Sequence, residues 1–279
     1  MKIGFNLLLW TTHLSRDHLP VLRALKAAGY DGVEVPVFGG TPAGYAETAR
    51  MLAGEGLAAT VVAVVPDAAH DPMSADPACH AAGVDHLKGL VDCAVALGAE
   101  VLCGPFTQPL ATFSGTGPTP AEWDRLVIAH QAMADHAGDA VTLAVEPLNR
   151  FECYALNTAT QAARLVAGVG RANYGYLFDT FHAHIEERAP AAALAATLAS
   201  VRHVHVSEND RGTPGRGHAD IAGALGVLKA GGYDGWLTVE AFGQALPDLA
   251  AATRVWRPLF ASEKEVYSEA IGLIRRHWH

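Results

Sequence analysis

Apolar and polar positions along this chain fall into blocks whose period switches repeatedly. Short apolar runs are each followed by a longer segment with apolar residues every three or four positions. Residues 3–9 (IGFNLLL) predict a buried strand, and 17–28 an amphipathic helix stopped by Gly29. DGVEVPVF (31–38) predicts a strand interrupted by Pro36, with Tyr45–Leu52 in the second helix. LAATVVAVV (57–65) is nearly continuous in apolar residues, which suits a parallel strand covered on both faces. The runs AEVLCGPF (99–106), TLAVEPLNRFE (142–152), YGYLFDT (174–180), RHVHVSE (202–208) and GWLTVEAF (235–242) supply five more strands. Helical patterns at 78–97, 120–137, 158–167 and 193–200 fall between them.

Eight strands, each followed by a helix, with no break in composition, predict one α/β domain over residues 1–279. Right-handed crossovers and parallel pairing make a closed (β/α)8 TIM barrel the natural solution. Residues 256–279 form a C-terminal helical extension, whose Trp256, Phe260, Tyr267 and Trp278 either cap the barrel or build a subunit contact. The rival, an open doubly wound sheet, lacks a Gly-x-Gly-x-x-Gly turn after the first strand. A length of 279 residues also suits the barrel, which needs roughly 250.

Charge narrows the partners. The formal net charge is −9 with no long basic run, which argues against nucleic acid and for a small molecule or a protein. No apolar run approaches membrane-spanning length, and MKIGFNLLLW reads as a first strand rather than a signal peptide. Cys79, Cys93, Cys103 and Cys153 show no Cys-x-x-Cys spacing, so reduced thiols in a cytoplasmic protein are expected.

The candidate chemistry lies where strands end. Glu146, Asp179, His205 and Glu240 close strands five to eight, each separated from the next by about one β/α unit of roughly thirty residues. A barrel brings such residues to one point at its C-terminal mouth. Three carboxylates there repel unless a cation lies between them. Three oxygen ligands and one imidazole suit Mn²⁺, Mg²⁺ or Co²⁺ better than a sulfur-rich structural zinc site. His203 and His205 alternate along one strand, which predicts that one faces the interior and the other the helices, in a structural role.

The motifs EPLNRFE (146–152), FDTFHAHIEE (178–187), HVHVSENDRGTPGRGH (203–218) and TVEAF (238–242) resemble those of the D-tagatose/D-psicose (allulose) 3-epimerases. These are ketose 3-epimerases of the xylose-isomerase-like barrel superfamily. The resemblance is close over strands five to eight and looser before them. It implies that Glu146, Asp179, His205 and Glu240 bind one divalent ion, Mn²⁺ first and Mg²⁺ or Co²⁺ as alternatives. It makes Glu146 and Glu240 the acid/base pair that inverts C3 through a cis-enediolate, since inversion needs a proton removed from one face and another delivered to the opposite one. It assigns Glu152, His182 and Arg211 to the substrate's O1–O2 end. Read without the resemblance, Glu152 pairs as readily with Arg150, His182 caps a helix, and Arg211 is surface charge. Phe242 is either an apolar wall or a core aromatic.

Departures from the family pattern at Asn6 and Trp10, Pro66 and Ile221 fall where the ketose is selected, and leave its identity open. The expected partner is a free ketose such as D-psicose/D-fructose, D-tagatose/D-sorbose or L-ribulose/L-xylulose, handled by a homo-oligomer, dimer or tetramer. An aldose–ketose or hydroxypyruvate-type isomerase on the same scaffold is the alternative. A phosphodiesterase on this barrel requires a basic surface that the charge denies. A non-catalytic sugar-binding barrel leaves both acid/base carboxylates without a task.

Overall fold

Eight parallel strands close a barrel in chain order: β1 (Lys2–Asn6), β2 (Gly32–Pro36), β3 (Ala58–Val62), β4 (Val101–Gly104), β5 (Thr142–Val145), β6 (Tyr174–Asp179), β7 (Val201–Val206) and β8 (Trp236–Val239). The computed structural model describes residues 1–278. The strands are shorter than the apolar runs that announce them, because the end of each run leaves the ladder to build the mouth. In β1 the ladder stops at Asn6, whose side chain accepts from Leu8 N and starts a 3₁₀ turn. Pro36 ends β2 rather than interrupting it.

The helices are α1 (Leu19–Ala28), α2 (Pro42–Gly54), α3 (Pro77–Leu97), α4 (Pro120–Ala137), α5 (Ala159–Val169), α6 (Thr180–Glu186), α7 (Pro190–Thr197), α8 (Ile221–Ala230), α9 (Pro247–Thr253) and α10 (Glu263–Trp278). Their ends carry local signals. Asp76 caps α3 before Pro77, and Gly98 closes it at φ 72. Thr119 and Glu122 form a capping box on α4. The C-terminal helix α10 packs between α8 and α1, the eighth place in the helical ring. Phe260, Tyr267 and Trp278 pack against the core, while Trp256 is 70% exposed.

Strand parity sorts the buried residues into two layers. Phe5, Val33, Val61, Leu102, Leu143, Tyr176, Val204 and Leu237 point outward and pack with the helices. The inward set is partly apolar, with Val101, Cys103, Ala144, Leu177 and Trp236. The rest is polar: Asn6, Glu34, Thr60, His203, His205 and Thr238 are all fully buried. Branched aliphatic residues usually fill this space. Trp236 plugs the lower end. A Cβ on Gly32 would sit 2.6 Å from its ring, and one on Gly4 would sit 3.2 Å away.

The expectation for His203 and His205 is corrected here. Residues two apart in a strand share a face, so both rings point into the barrel, with centroids 5.3 Å apart. Neither faces the helices.

Candidate metal centre

The sheet itself positions the four strand-end residues. Asp179 on β6 pairs in register with His205 on β7. Glu146 follows β5 and is tied to the neighbouring β4 by its N–H to Gly104 O, 2.9 Å. Glu240 follows β8 in the same way, its N–H reaching Val206 O at 3.2 Å. All four side chains are buried, and one ligand atom from each falls within 4.8 Å of the others.

Each donor has one side committed and one side free. Asp179 Oδ1 caps α6, accepting from Phe181 N at 2.6 Å and His182 N at 3.4 Å, while Oδ2 faces the centre. His205 donates Nε2–H to Glu34 Oε1 at 2.8 Å, which leaves Nδ1 bare. That Nδ1 is buried and without a hydrogen-bond partner. It faces Glu240 Oε1 at 3.4 Å, Asp179 Oδ2 at 3.8 Å and Glu146 Oε1 at 3.9 Å. Three carboxylate oxygens and an orphaned imidazole nitrogen converging on one point are what a divalent cation with hard and borderline ligands requires, so the residues fit such an ion.

The electrostatics carry the same demand. Burial, reinforced by Glu240 and Asp179, pushes the Glu146 carboxyl well above its ordinary value. Burial works the same way on Asp179, but Arg211 and the neighbouring histidines outweigh it and hold that carboxyl well below the usual range.

Arg211 is the charge that this side of the mouth does contain. It is buried, with Nη1 donating to Glu240 Oε2 at 2.6 Å, Asp179 Oδ2 at 3.0 Å and Ser207 Oγ at 3.1 Å. Its guanidinium lies over Phe181 at 3.8 Å and Phe242 at 5.0 Å, and its backbone sits at φ 65. Ordinary surface charge is excluded, and the left-handed backbone marks a position held by its surroundings. Phe242 is buried in an apolar cluster and presents its ring to Arg211. His182 does not cap a helix, since Asp179 caps α6. Its Nδ1 accepts from Asn149 N at 3.0 Å, so its proton sits on Nε2. That N–H lies 2.8 Å from Arg211 Nη2 and 3.6 Å from Glu146 Oε1. Burial, then Arg211, lowers the His182 pKa to about 3 and keeps the ring neutral.

Glu152 does not pair with Arg150. It accepts from Asn149 Nδ2 at 2.7 Å, while Arg150 forms a two-point pair with Glu186. The segment 105–119 docks on this turn through Ala111 N to Glu152 O, 2.9 Å.

Residues outside the predicted ligand and substrate sets complete the centre. Asn6, expected near the sugar, instead donates Nδ2–H to both Glu34 Oε1 and Glu240 Oε1, at 3.0 and 2.9 Å. Phe181, Ser207 and Asn149 lie within the motifs quoted above, whereas Glu34 has only its charge inside an apolar run to signal it. A cleft of about 840 Å³ opens between α1 and α2, away from these groups. Its Arg23 is already paired with Glu55, so the carboxylate cluster holds the stronger claim to chemistry.

Comparison with known proteins identifies the family. Residues 22–277 match the family described as xylose isomerase-like TIM barrel. The ketose 3-epimerase of Arthrobacter globiformis is 32% identical over 99% of this chain and 96% of its own length. The L-ribulose 3-epimerase of a Methylomonas species is 30% identical over 100% of this chain and 98% of its own. The crystal structure of a Methylomonas D-allulose 3-epimerase with D-allulose superposes with a TM-score of 0.92 at 29% identity, covering 99% and 97% of the two chains. The chain belongs to the xylose isomerase-like TIM barrels and, within them, to the ketose 3-epimerase family, so it is a carbohydrate epimerase of the isomerase class. Among the described residues, no helix is long and apolar enough to cross a membrane.

Proposed function

We propose that the protein interconverts free ketoses at C3 in a divalent-metal-dependent reaction, with Glu146 and Glu240 as the two proton-transfer groups. The observation that carries this is the convergence of Glu146, Asp179, Glu240 and the orphaned His205 Nδ1 on one buried point. These four residues would hold the ion, with Mn²⁺ the first candidate and Mg²⁺ or Co²⁺ the others. The ion would supply Lewis-acid polarisation of the ketose oxygens.

The protein's own groups do the remainder. Glu146 and Glu240 hang from β5 and β8, three strands apart around the ring, and so approach the centre from different directions. One removes the C3 proton and the other delivers one to the opposite face; their exchange of roles makes the reaction reversible. Arg211, fixed between two aromatic rings, stabilises the negative charge that develops on the substrate oxygens. Nε2–H of His182 and Nη2 of Arg211 are two donors 2.8 Å apart, and a substrate oxygen accepting from both relieves that conflict. Glu152, held by Asn149, accepts from a sugar hydroxyl at the O1–O2 end.

D-Psicose, D-tagatose and L-ribulose head the substrate panel, because relatives are named for the D-psicose and L-ribulose reactions. Assembly into a dimer or tetramer belongs to the same proposal. Phe151 and Trp256, 71% and 70% exposed, offer apolar contact surface for it. The test is incubation with each ketose and Mn²⁺ in D₂O, with and without chelator, followed by NMR. We expect deuterium at C3 of the product and no turnover after chelation. Label at C1 alone would instead identify an aldose–ketose isomerase, and no turnover of any ketose removes the proposal.

A further inference from the structure

Beneath the candidate metal centre, Glu34 is buried inside the barrel with five donors on its carboxylate. His205 Nε2 at 2.8 Å and Asn6 Nδ2 at 3.0 Å reach Oε1. His203 Nε2 at 2.8 Å, Thr60 Oγ1 at 3.0 Å and Cys103 Sγ at 3.1 Å reach Oε2. We infer that Glu34 is the positioning residue of the site. Through His205 it fixes the imidazole tautomer, and through Asn6 it fixes the Glu240 carboxylate.

The tautomer follows from donor counting. An ionised carboxylate only accepts, so both imidazoles that touch it must present N–H from Nε2. Glu34 holds the Nε2 proton of His205, so the nitrogen left to meet a cation is Nδ1, which faces Glu146, Asp179 and Glu240. Asn6 has its own orientation fixed, because its Oδ1 accepts from Leu8 N at 2.9 Å. Its Nδ2 must therefore face the two carboxylates, tying Glu34 Oε1 to Glu240 Oε1. One buried carboxylate thus orients two of the four residues at the mouth from a layer below them.

Glu34, Cys103, His203 and His205 also lie close enough to hold an ion of their own. Cys103, His203 and His205 each already spend a proton on Glu34, which makes a hydrogen-bonded anchor the better account. The inference rests on the metal-dependent reading above, and its test separates the two. In Glu34→Gln the side chain keeps its shape but gains an N–H₂ that faces one imidazole N–H, that of His205 from the Oε1 position or that of His203 from the Oε2 position. One histidine must then move its proton to Nδ1, and in His205 that proton blocks the lone pair.

The experiment measures Mn²⁺ affinity of the metal-stripped wild type and E34Q by calorimetry, with stoichiometry, alongside the thermal midpoint. We expect one ion per chain and an affinity weakened about 10- to 100-fold in E34Q. An unchanged affinity in a folded E34Q, whatever its midpoint, overturns the inference, because a purely structural Glu34 moves only the midpoint. Two ions in the wild type and one in E34Q overturn it as well, making Glu34 a ligand. If E34Q does not fold, ¹⁵N NMR of the wild-type histidines decides. We expect His205 protonated at Nε2 and bare at Nδ1, and the reverse sinks the inference. Wild type that binds no divalent ion refutes the metal-dependent reading, while the tautomer still judges this one.

Discussion

The two sides of the same eight strands are built to different rules. Outward, residues such as Val33, Leu143, Val204 and Leu237 meet the helices in an aliphatic layer that excludes water. Inward, above the Trp236 plug, the barrel holds a carboxylate, an amide, two imidazoles and a thiol linked through Glu34. The outer layer stabilises by area, at about 25 cal/mol per Å² of apolar surface removed from water, and tolerates many equivalent side chains. The inner layer contributes little by area and depends on each donor finding its acceptor, since one buried unpaired group costs about 1–3 kcal/mol. Stability and chemistry are thereby assigned to opposite faces of one sheet.

Paired substitutions on the two faces can break that division. On the inner side, Glu240→Gln removes the proposed proton-transfer group and candidate ligand while keeping the volume. The turnover of the active ketose is expected to fall about 10³-fold, with a thermal midpoint moved by less than about 4 °C. A midpoint drop much larger than that would show that the inner layer carries stability as well. On the outer side, Leu143→Ala is expected to cost about 2–5 kcal/mol in urea unfolding and to leave Mn²⁺ affinity unchanged. A tenfold change in that affinity would mean that the layers are coupled.

His130 sharpens the contrast, because it is a polar residue on the outer side. It is bonded to Tyr174 Oη and Phe106 O, and burial lowers its pKa to about 4. The unfolded chain takes up this proton near pH 6.5 and the folded chain does not. Stability from this group is therefore full above pH 6.5 and declines as pH falls toward 4, by up to about 3 kcal/mol. Urea titrations between pH 7 and 4.5 with chelator present should show a shallower pH slope in His130→Gln than in the wild type. Equal slopes would show that His130 is protonated in the fold.

The outer layer was legible in the sequence because its signal is local. Period-2 and period-3.6 apolar patterns, with stops such as Gly29 and Gly98, located every strand and most helices. Strand-end spacing likewise marked Glu146, Asp179, His205 and Glu240, since barrel closure alone brings them together. Glu34 was not legible, although a lone carboxylate between Val33 and Val35 in a buried run was the available sign. Its partners His203 and His205 lie far along the chain, and no local period encodes their meeting. The misassigned face of His203 came from the same region: with parity applied correctly, two inward imidazoles on one strand already require an acceptor inside the barrel.

The smallest expected effect tests where that inner network stops. Arg150 stands within EPLNRFE, two residues from Glu152, yet its guanidinium turns away to Glu186 with contacts of 2.9 and 3.0 Å, and it is 62% exposed. An ion pair with one exposed partner contributes about 0.2–1 kcal/mol, and Glu186 keeps the Arg150 backbone N–H after the side chain is removed. Arg150→Ala should therefore lower stability by no more than about 1 kcal/mol and leave kcat/KM within about twofold. Glu152→Gln, two residues away and bonded to Asn149, should raise KM for the same ketose while the stability holds. If instead Arg150→Ala raises KM as Glu152→Gln does, the substrate-facing network extends through Arg150 to the rim, and the boundary between chemistry and scaffold lies farther out than the hydrogen bonds draw it.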